Sequence, residues 1–112
     1  MELFEKQLAS KQIFDGKVVK LFVDDIELPN GKGAFREVVR HPGAVCVIPI
    51  DENENVIMIK QFRYPFNEVL YEIPAGKLEP GETDRAAAAL RELREETGAR
   101  CEALTFIGDF IP

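Results

Sequence analysis

The sequence predicts an α+β domain, and three observations carry that expectation. Apolar runs of strand length recur along the chain, set apart by Gly, Pro and Asn turn signals. One Ala-rich segment, inside Gly76–Ala99 (GKLEPGETDRAAAALRELREETGA), has the composition of a long helix. The 112 residues, 46% hydrophobic and 30% charged, suit one small soluble unit with a single core.

In chain order, Lys11–Gly16 reads as a short strand with a turn, and Val18–Leu28 as a second, unevenly alternating strand. Pro29-Asn-Gly-Lys-Gly33 is a turn in which Asn30-Gly31 would supply the positive-φ positions of a hairpin. Phe35–His41 is the return strand, so residues 1–42 form an antiparallel arm. His41, the sole histidine, precedes Pro-Gly in a turn and is assigned no chemistry. Ala44–Ile50 is a continuous apolar run, expected to be buried on both faces and to pair with Val56–Phe62 across the polar turn Asp51–Asn55. Val69–Ile73 is a short strand that Pro74 closes. Beyond the helix, Ala103–Ile111 is expected to be a final strand, completing a core unit over 43–112.

Net charge near −6, with no basic run, argues against a nucleic-acid surface. No apolar stretch approaches the roughly 20 residues that span a bilayer, and the N-terminus lacks an apolar signal core. Cys46 and Cys101 have no metal-ligand spacing; buried free thiols and a cytoplasmic location are expected.

The chemistry concentrates in Gly76–Ala99. A helix turns about 100° per residue, so Glu92 and Glu96 share a face with Glu95 nearby. Like charges at that spacing repel, which calls for solvation or a cation. A hard divalent ion with oxygen ligands fits the cluster, and such an ion implies a phosphate-bearing substrate. The residues alone equally suit a solvated acidic face with Arg91 and Arg94 as surface partners. The Gly-Pro loop ahead of the helix favours the metal, because it fixes the helix start and brings a backbone carbonyl towards the ion.

Gly76, Glu82, Arg91-Glu92-Leu93, Glu95-Glu96 and Gly98-Ala99 resemble the Nudix box, the signature of the Nudix hydrolases. Eight residues, Thr83–Leu90, separate Glu82 from Arg91, one more than the family pattern, and Ala99 stands where a bulky aliphatic residue is usual. An extra Ala within Ala86–Ala89 is the simplest reading. In a regular helix it would turn Glu82 about 100° from the carboxylate cluster and break its interaction with Arg91 unless a π-bulge or a lengthened first turn absorbs it. Upstream, Arg36–Ala44, Lys60-Gln-Phe-Arg63 and Tyr71-Glu-Ile-Pro-Ala-Gly76 look like the ADP-ribose pyrophosphatase branch.

The resemblance implies an α/β/α sandwich around a mixed sheet. One helix covers one face only, so the chain is expected to lack the C-terminal strand and second helix of that fold. It also implies a homodimer built through the N-terminal arm, and hydrolysis of a nucleoside diphosphate sugar, foremost ADP-ribose to AMP and ribose 5-phosphate. Glu92, Glu95, Glu96 and the Ala75 carbonyl would hold Mg²⁺, with Mn²⁺ as the alternative. Arg91 would orient a carboxylate, and Glu82 would support the loop or reach the metal through water, which completes the catalytic set. Phe35, Arg36, Arg63 and Glu72 would contact substrate: Arg63 a phosphate, Glu72 the ribose or base, Phe35 the adenine ring. Without the family context, Phe35 reads as a core residue, and Arg63 and Glu72 as strand-end charges. Leu90 and Leu93 would pack the helix on the sheet. The branch's general base lies in a loop beyond this chain, worth typically 10²–10⁴-fold. Two other readings therefore stand beside the enzyme: a catalytically weak Nudix-like module that binds a nucleotide or partner, and an α+β domain whose acidic helix only solubilises it.

Overall fold

The structure is a computed structural model describing residues 2–111, and its chain divides into two units, one ending at His41 and the other beginning at Pro42.

The first unit is an antiparallel meander of β1 (Lys6–Asp15), β2 (Lys20–Glu27) and β3 (Gly33–Arg40), in the order β1-β2-β3. β1 starts at Lys6 rather than Lys11, because Lys6 and Gln7 pair with Glu27 and Ile26. Every β1 residue is exposed, so its upstream half carries no alternation for a sequence reading to detect. Irregularities between Gln7 and Ala9 and between Gln12 and Phe14 interrupt the ladder, as bulges do. In the β2–β3 turn only Gly31 takes a left-handed φ, +84°. Asn30 instead uses its side chain, accepting the Lys32 N–H at 3.0 Å, while Leu28 N–H bonds the Lys32 carbonyl at 2.8 Å. Asp24 is buried in this unit and satisfied: Ser10 Oγ donates to one oxygen at 2.5 Å and Arg40 to the other at 2.7 Å. The Arg40 guanidinium also lies 4.1 Å from the Phe22 ring centroid, a cation–π contact.

In the second unit, β4 (Ala44–Cys46) pairs with β7 (Ala75–Lys77), not with the run that follows it. Val47 N–H to the Pro74 carbonyl (2.9 Å) and Leu78 N–H to the Gly43 carbonyl (2.8 Å) extend that pairing at both ends. The expected hairpin of Ala44–Ile50 with Val56–Phe62 shrinks to an Ile50–Val56 bridge and one bond from Ile57 N–H to the Pro49 carbonyl. Pro49 has no N–H to give a ladder, which ends the strand early. The Asp51–Asn55 turn does form: the Asp51 carboxylate accepts the Asn53 and Asn55 N–H groups, and Glu54 takes φ +64°. Burial along Ala44–Ile50 alternates, with Val47 and Pro49 inside and Ile48 and Ile50 exposed, so the run has one buried face rather than two.

The hairpin that does form joins β5 (Ile59–Arg63) to β6 (Glu68–Glu72) through a 3₁₀ turn at Tyr64–Phe66 closed by Asn67 at φ +54°. Ala103–Ile111, expected as a final strand, forms no strand among the described residues and is exposed along its length. Cys46 and Cys101 are free, as expected, but exposed rather than buried.

The helix α1 (Arg85–Thr97) packs on β4 and β7. Asp84 caps its start by accepting the Ala87 N–H at 3.0 Å. Gly98, at φ +74°, ends it with an N–H bond to the Arg94 carbonyl. Leu93, Ala88 and Ala89 are buried under it with Val47, Leu78 and Pro74. Leu90, expected to join Leu93, sits on the shoulder of that face and stays 38% exposed.

Candidate active site

The site begins where β7 runs through a loop into α1. Gly81 takes φ +79° in a turn whose ends meet: Glu82 N–H bonds the Glu79 carbonyl at 2.9 Å, and the Glu82 carboxylate accepts the Glu79 N–H at 3.0 Å. Arg91 grips both oxygens of that carboxylate, at 2.6 and 3.2 Å. The extra residue between them therefore does not part the pair, and α1 contains no π segment to absorb it. The reason is positional. Glu82 lies in the turn before the Asp84 cap rather than on the helix, so a helical rotation does not apply to it.

Arg91 also stands 3.7 Å from the Glu92 carboxylate. Glu92 in turn rests against β7, where a Cβ built on Gly76 would overlap its carboxyl group. One helical turn on, Glu96 has Oε2 buried without a hydrogen-bond partner. Burial foremost, and then the Glu92 charge, push the Glu96 carboxyl above its ordinary value; the Ala75 backbone amide pulls the other way. Hydrogen bonds from Arg91 hold Glu82 below the usual carboxylate range, and that pairing raises Arg91 further above its ordinary value.

Arg63 and Glu72, both expected at substrate, hold each other: Arg63 Nε and Nη2 bond the two Glu72 oxygens at 2.6 and 2.5 Å. That pairing raises Arg63 and lowers Glu72. Both charges act on Glu96, which places the pair beside the carboxylates. Glu95 is exposed, and no three His, Cys, Asp or Glu side chains converge into a ready-made metal cage among the described residues. Phe35 and Arg36 lie on β3 in the first unit. There Phe35 is exposed, and Arg36 pairs with Glu5 at 2.7 and 3.2 Å.

The grouping at the second unit is thus Glu92, Glu96, the Ala75–Gly76 backbone and the clasped Arg63–Glu72, braced by Arg91 and Glu82. A stranded carboxylate oxygen beside a second carboxylate fits a hard divalent cation, whose charge would satisfy both. Sequence reading places Gly76 in the motif without giving it a role; a glycine inside a strand is itself the signal of a close approach.

Two family models match the chain. Residues 39–111 match the NUDIX domain, and residues 5–39 match the nucleoside diphosphate sugar hydrolase N-terminal domain. The chain belongs to the NUDIX family. It is 54% identical over 108 residues to an ADP-ribose pyrophosphatase of Bacillus subtilis, covering 96% of this chain and 58% of that protein. It is also 54% identical over 106 residues to a methanol dehydrogenase activator of Bacillus methanolicus, covering 95% and 57%. The crystal structure of an ADP compounds hydrolase superposes with a TM-score of 0.79 at 26% identity, covering 96% of this chain and 59% of that one. The chain therefore has the Nudix fold and spans less than three-fifths of the length of these relatives.

Proposed function

We propose that this chain belongs to an enzyme that hydrolyses the pyrophosphate of a nucleoside diphosphate sugar, with ADP-ribose, cleaved to AMP and ribose 5-phosphate, as first choice. The observation that carries the reading is the Glu92–Glu96 pair with its stranded oxygen, set against Ala75–Gly76 in a chain so similar to an ADP-ribose pyrophosphatase. Glu92 and Glu96 would hold a divalent ion, Mg²⁺ or Mn²⁺, with the Ala75 carbonyl and Glu95 as further ligands. Such an ion supplies charge neutralisation at phosphoryl oxygens and nucleophilic water near neutral pH.

The remaining steps fall to the protein's own side chains. Arg91, fixed by Glu82, orients Glu92 through a charge-assisted contact. Arg63 offers a planar fork to a phosphate once Glu72 is engaged by ribose or base donors. Phe35 and Arg36 stay candidate substrate contacts on the arm, and a homodimer built through that arm would cover its exposed apolar residues. A cytoplasmic location accords with the free thiols.

Turnover of ADP-ribose with Mg²⁺, compared with Glu96→Gln, tests this reading. Activity in the wild type that the variant loses supports metal-assisted hydrolysis, and equal rates in both overturn it. A second reading has its own observation: the activator from Bacillus methanolicus is as similar as the pyrophosphatase. A folded chain that binds ADP-ribose without turning it over would favour a Nudix module acting on a partner.

A further inference from the structure

We infer that Gly76 is a positioning residue for the metal site: the space left by its missing side chain is the seat of the Glu92 carboxylate. The inference rests on the metal reading above. It concerns what sets the height of one ligand over the sheet.

Gly76 lies in the middle of β7, directly across the ladder from Val45 on β4. Glycine within a strand is unfavourable, because it loses more backbone entropy and packs nothing itself. Conformation does not demand it here. Gly76 is absent from the left-handed glycines, which are Gly31, Gly43, Gly81 and Gly98. Space is what distinguishes it: a Cβ at Gly76 would overlap Cδ and both oxygens of Glu92, the far end of that side chain, so the carboxylate rather than the backbone would have to move, whereas a Cβ at Gly33 or Gly108 would meet nothing within 4 Å.

Arg91 stands 3.7 Å from the same carboxylate and is itself clamped by Glu82. Glu92 therefore has a guanidinium and the bare Cα of β7 as neighbours. Glu96, one turn along the same helix, keeps its unpartnered oxygen. The distance between the two carboxylates then depends on how closely Glu92 approaches the sheet. One added methyl group at position 76 lifts Glu92 off its seat while leaving the ladder's N–H and C=O groups in place.

Uptake of Mn²⁺ alone, followed by the loss of free-ion EPR signal, provides the test in a cycle of Gly76→Ala, Glu92→Asp and the double variant. Gly76→Ala should weaken Mn²⁺ binding about 10–100-fold, the range for changes that misplace a metal ligand. Glu92→Asp should weaken it as well, because the shorter acid sits too low. The double variant should bind better than the product of the two losses, since the shorter acid clears the new methyl group; a merely structural glycine gives no such recovery. Binding by Gly76→Ala equal to the wild type, or losses that simply multiply, would overturn the inference.

Should Gly76→Ala not fold, a folded double variant still supports the seat, and an unfolded one counts against it. A wild-type chain that takes up no Mn²⁺ rejects the metal reading by itself. Metal-free melting then decides the steric claim, with stability lost in Gly76→Ala and regained in the double variant if Glu92 fills that space.

Discussion

The two units of this chain are built on opposite principles. In the second, a capped helix buries Leu93, Ala88 and Ala89 against two short strands, and apolar burial holds the fold. In the first, three strands share long ladders, yet Ile26 and Asp24 are its buried side chains among the described residues, while Leu8, Ile13, Phe14, Phe35 and Val39 all stay more than half exposed. A three-stranded meander of that kind lacks the apolar face that gives a small sheet independent stability. The polar cluster of Ser10, Asp24 and Arg40 fixes its register instead. The unit that carries the carboxylate site has a small core of its own, although Phe62, Tyr64, Val69 and Tyr71 around its β5–β6 hairpin are also more than half exposed.

The largest effect should separate the units outright. Leu93→Ala should cost about 2–5 kcal/mol in urea unfolding, the range for a buried leucine. Ile13→Ala on the exposed β1 should cost under about 0.5 kcal/mol, the usual limit for surface changes, at dilutions where the chain is a monomer. At higher concentration the cost should rise, because the proposed homodimer covers the arm; a cost that stays small at every concentration would count against that dimer. Next in size is Asp24→Ala, which removes the hydrogen bonds that the solvent-exposed Ser10 and Arg40 give to the buried Asp24 carboxylate and should cost about 1–3 kcal/mol. Asp84→Ala removes the helix cap and should cost about 1 kcal/mol by the same unfolding curve.

The smallest and most telling effect is on pH. Glu82 and Glu72 have carboxyls held below the ordinary 4.5, so their contribution to stability is full above pH 4.5 and fades as pH falls through their folded-state values. Glu96 has the reverse sign: its raised carboxyl favours the fold below pH 4.5 and loses that advantage as pH rises. Acid titration of the melting temperature should therefore show less loss below pH 4.5 in Glu82→Gln than in the wild type. An unchanged acid limb would mean that the Arg91–Glu82 clasp contributes nothing.

The helix within Gly76–Ala99 was legible in the sequence, because helical composition is local, while its Asp84 cap and Gly98 terminus went unread. The Nudix fold followed from the motif residues, and the likeness to the hydrolase crystal structure supports it. Strand partners were far less legible. Ala44–Cys46 pairs with Ala75–Lys77 from well along the chain, while the adjacent apolar run offered a hairpin that Pro49 cuts short. The upstream half of β1 carries no pattern at all, since both its faces are wet. Reading Glu82 as a helical residue led to the expected break with Arg91; only the Asp84 cap shows that the helix begins beyond it. Leu90 was misplaced for a related reason, because the small Ala88 and Ala89 bring the helix close on the Leu93 side and leave the shoulder open.

The Glu96 charge should be poorly tolerated without a bound cation and relieved by a divalent ion. Melting temperatures of the wild type and Glu96→Gln at neutral pH, each with and without Mg²⁺, test it most directly. Without metal the Gln variant should melt higher, because it removes a partly buried carboxylate charge beside Glu92. With Mg²⁺ the wild type should gain stability and the variant should not, so that their order reverses. A wild type that melts as high as the variant without metal, and gains no more than the variant with it, would contradict the account.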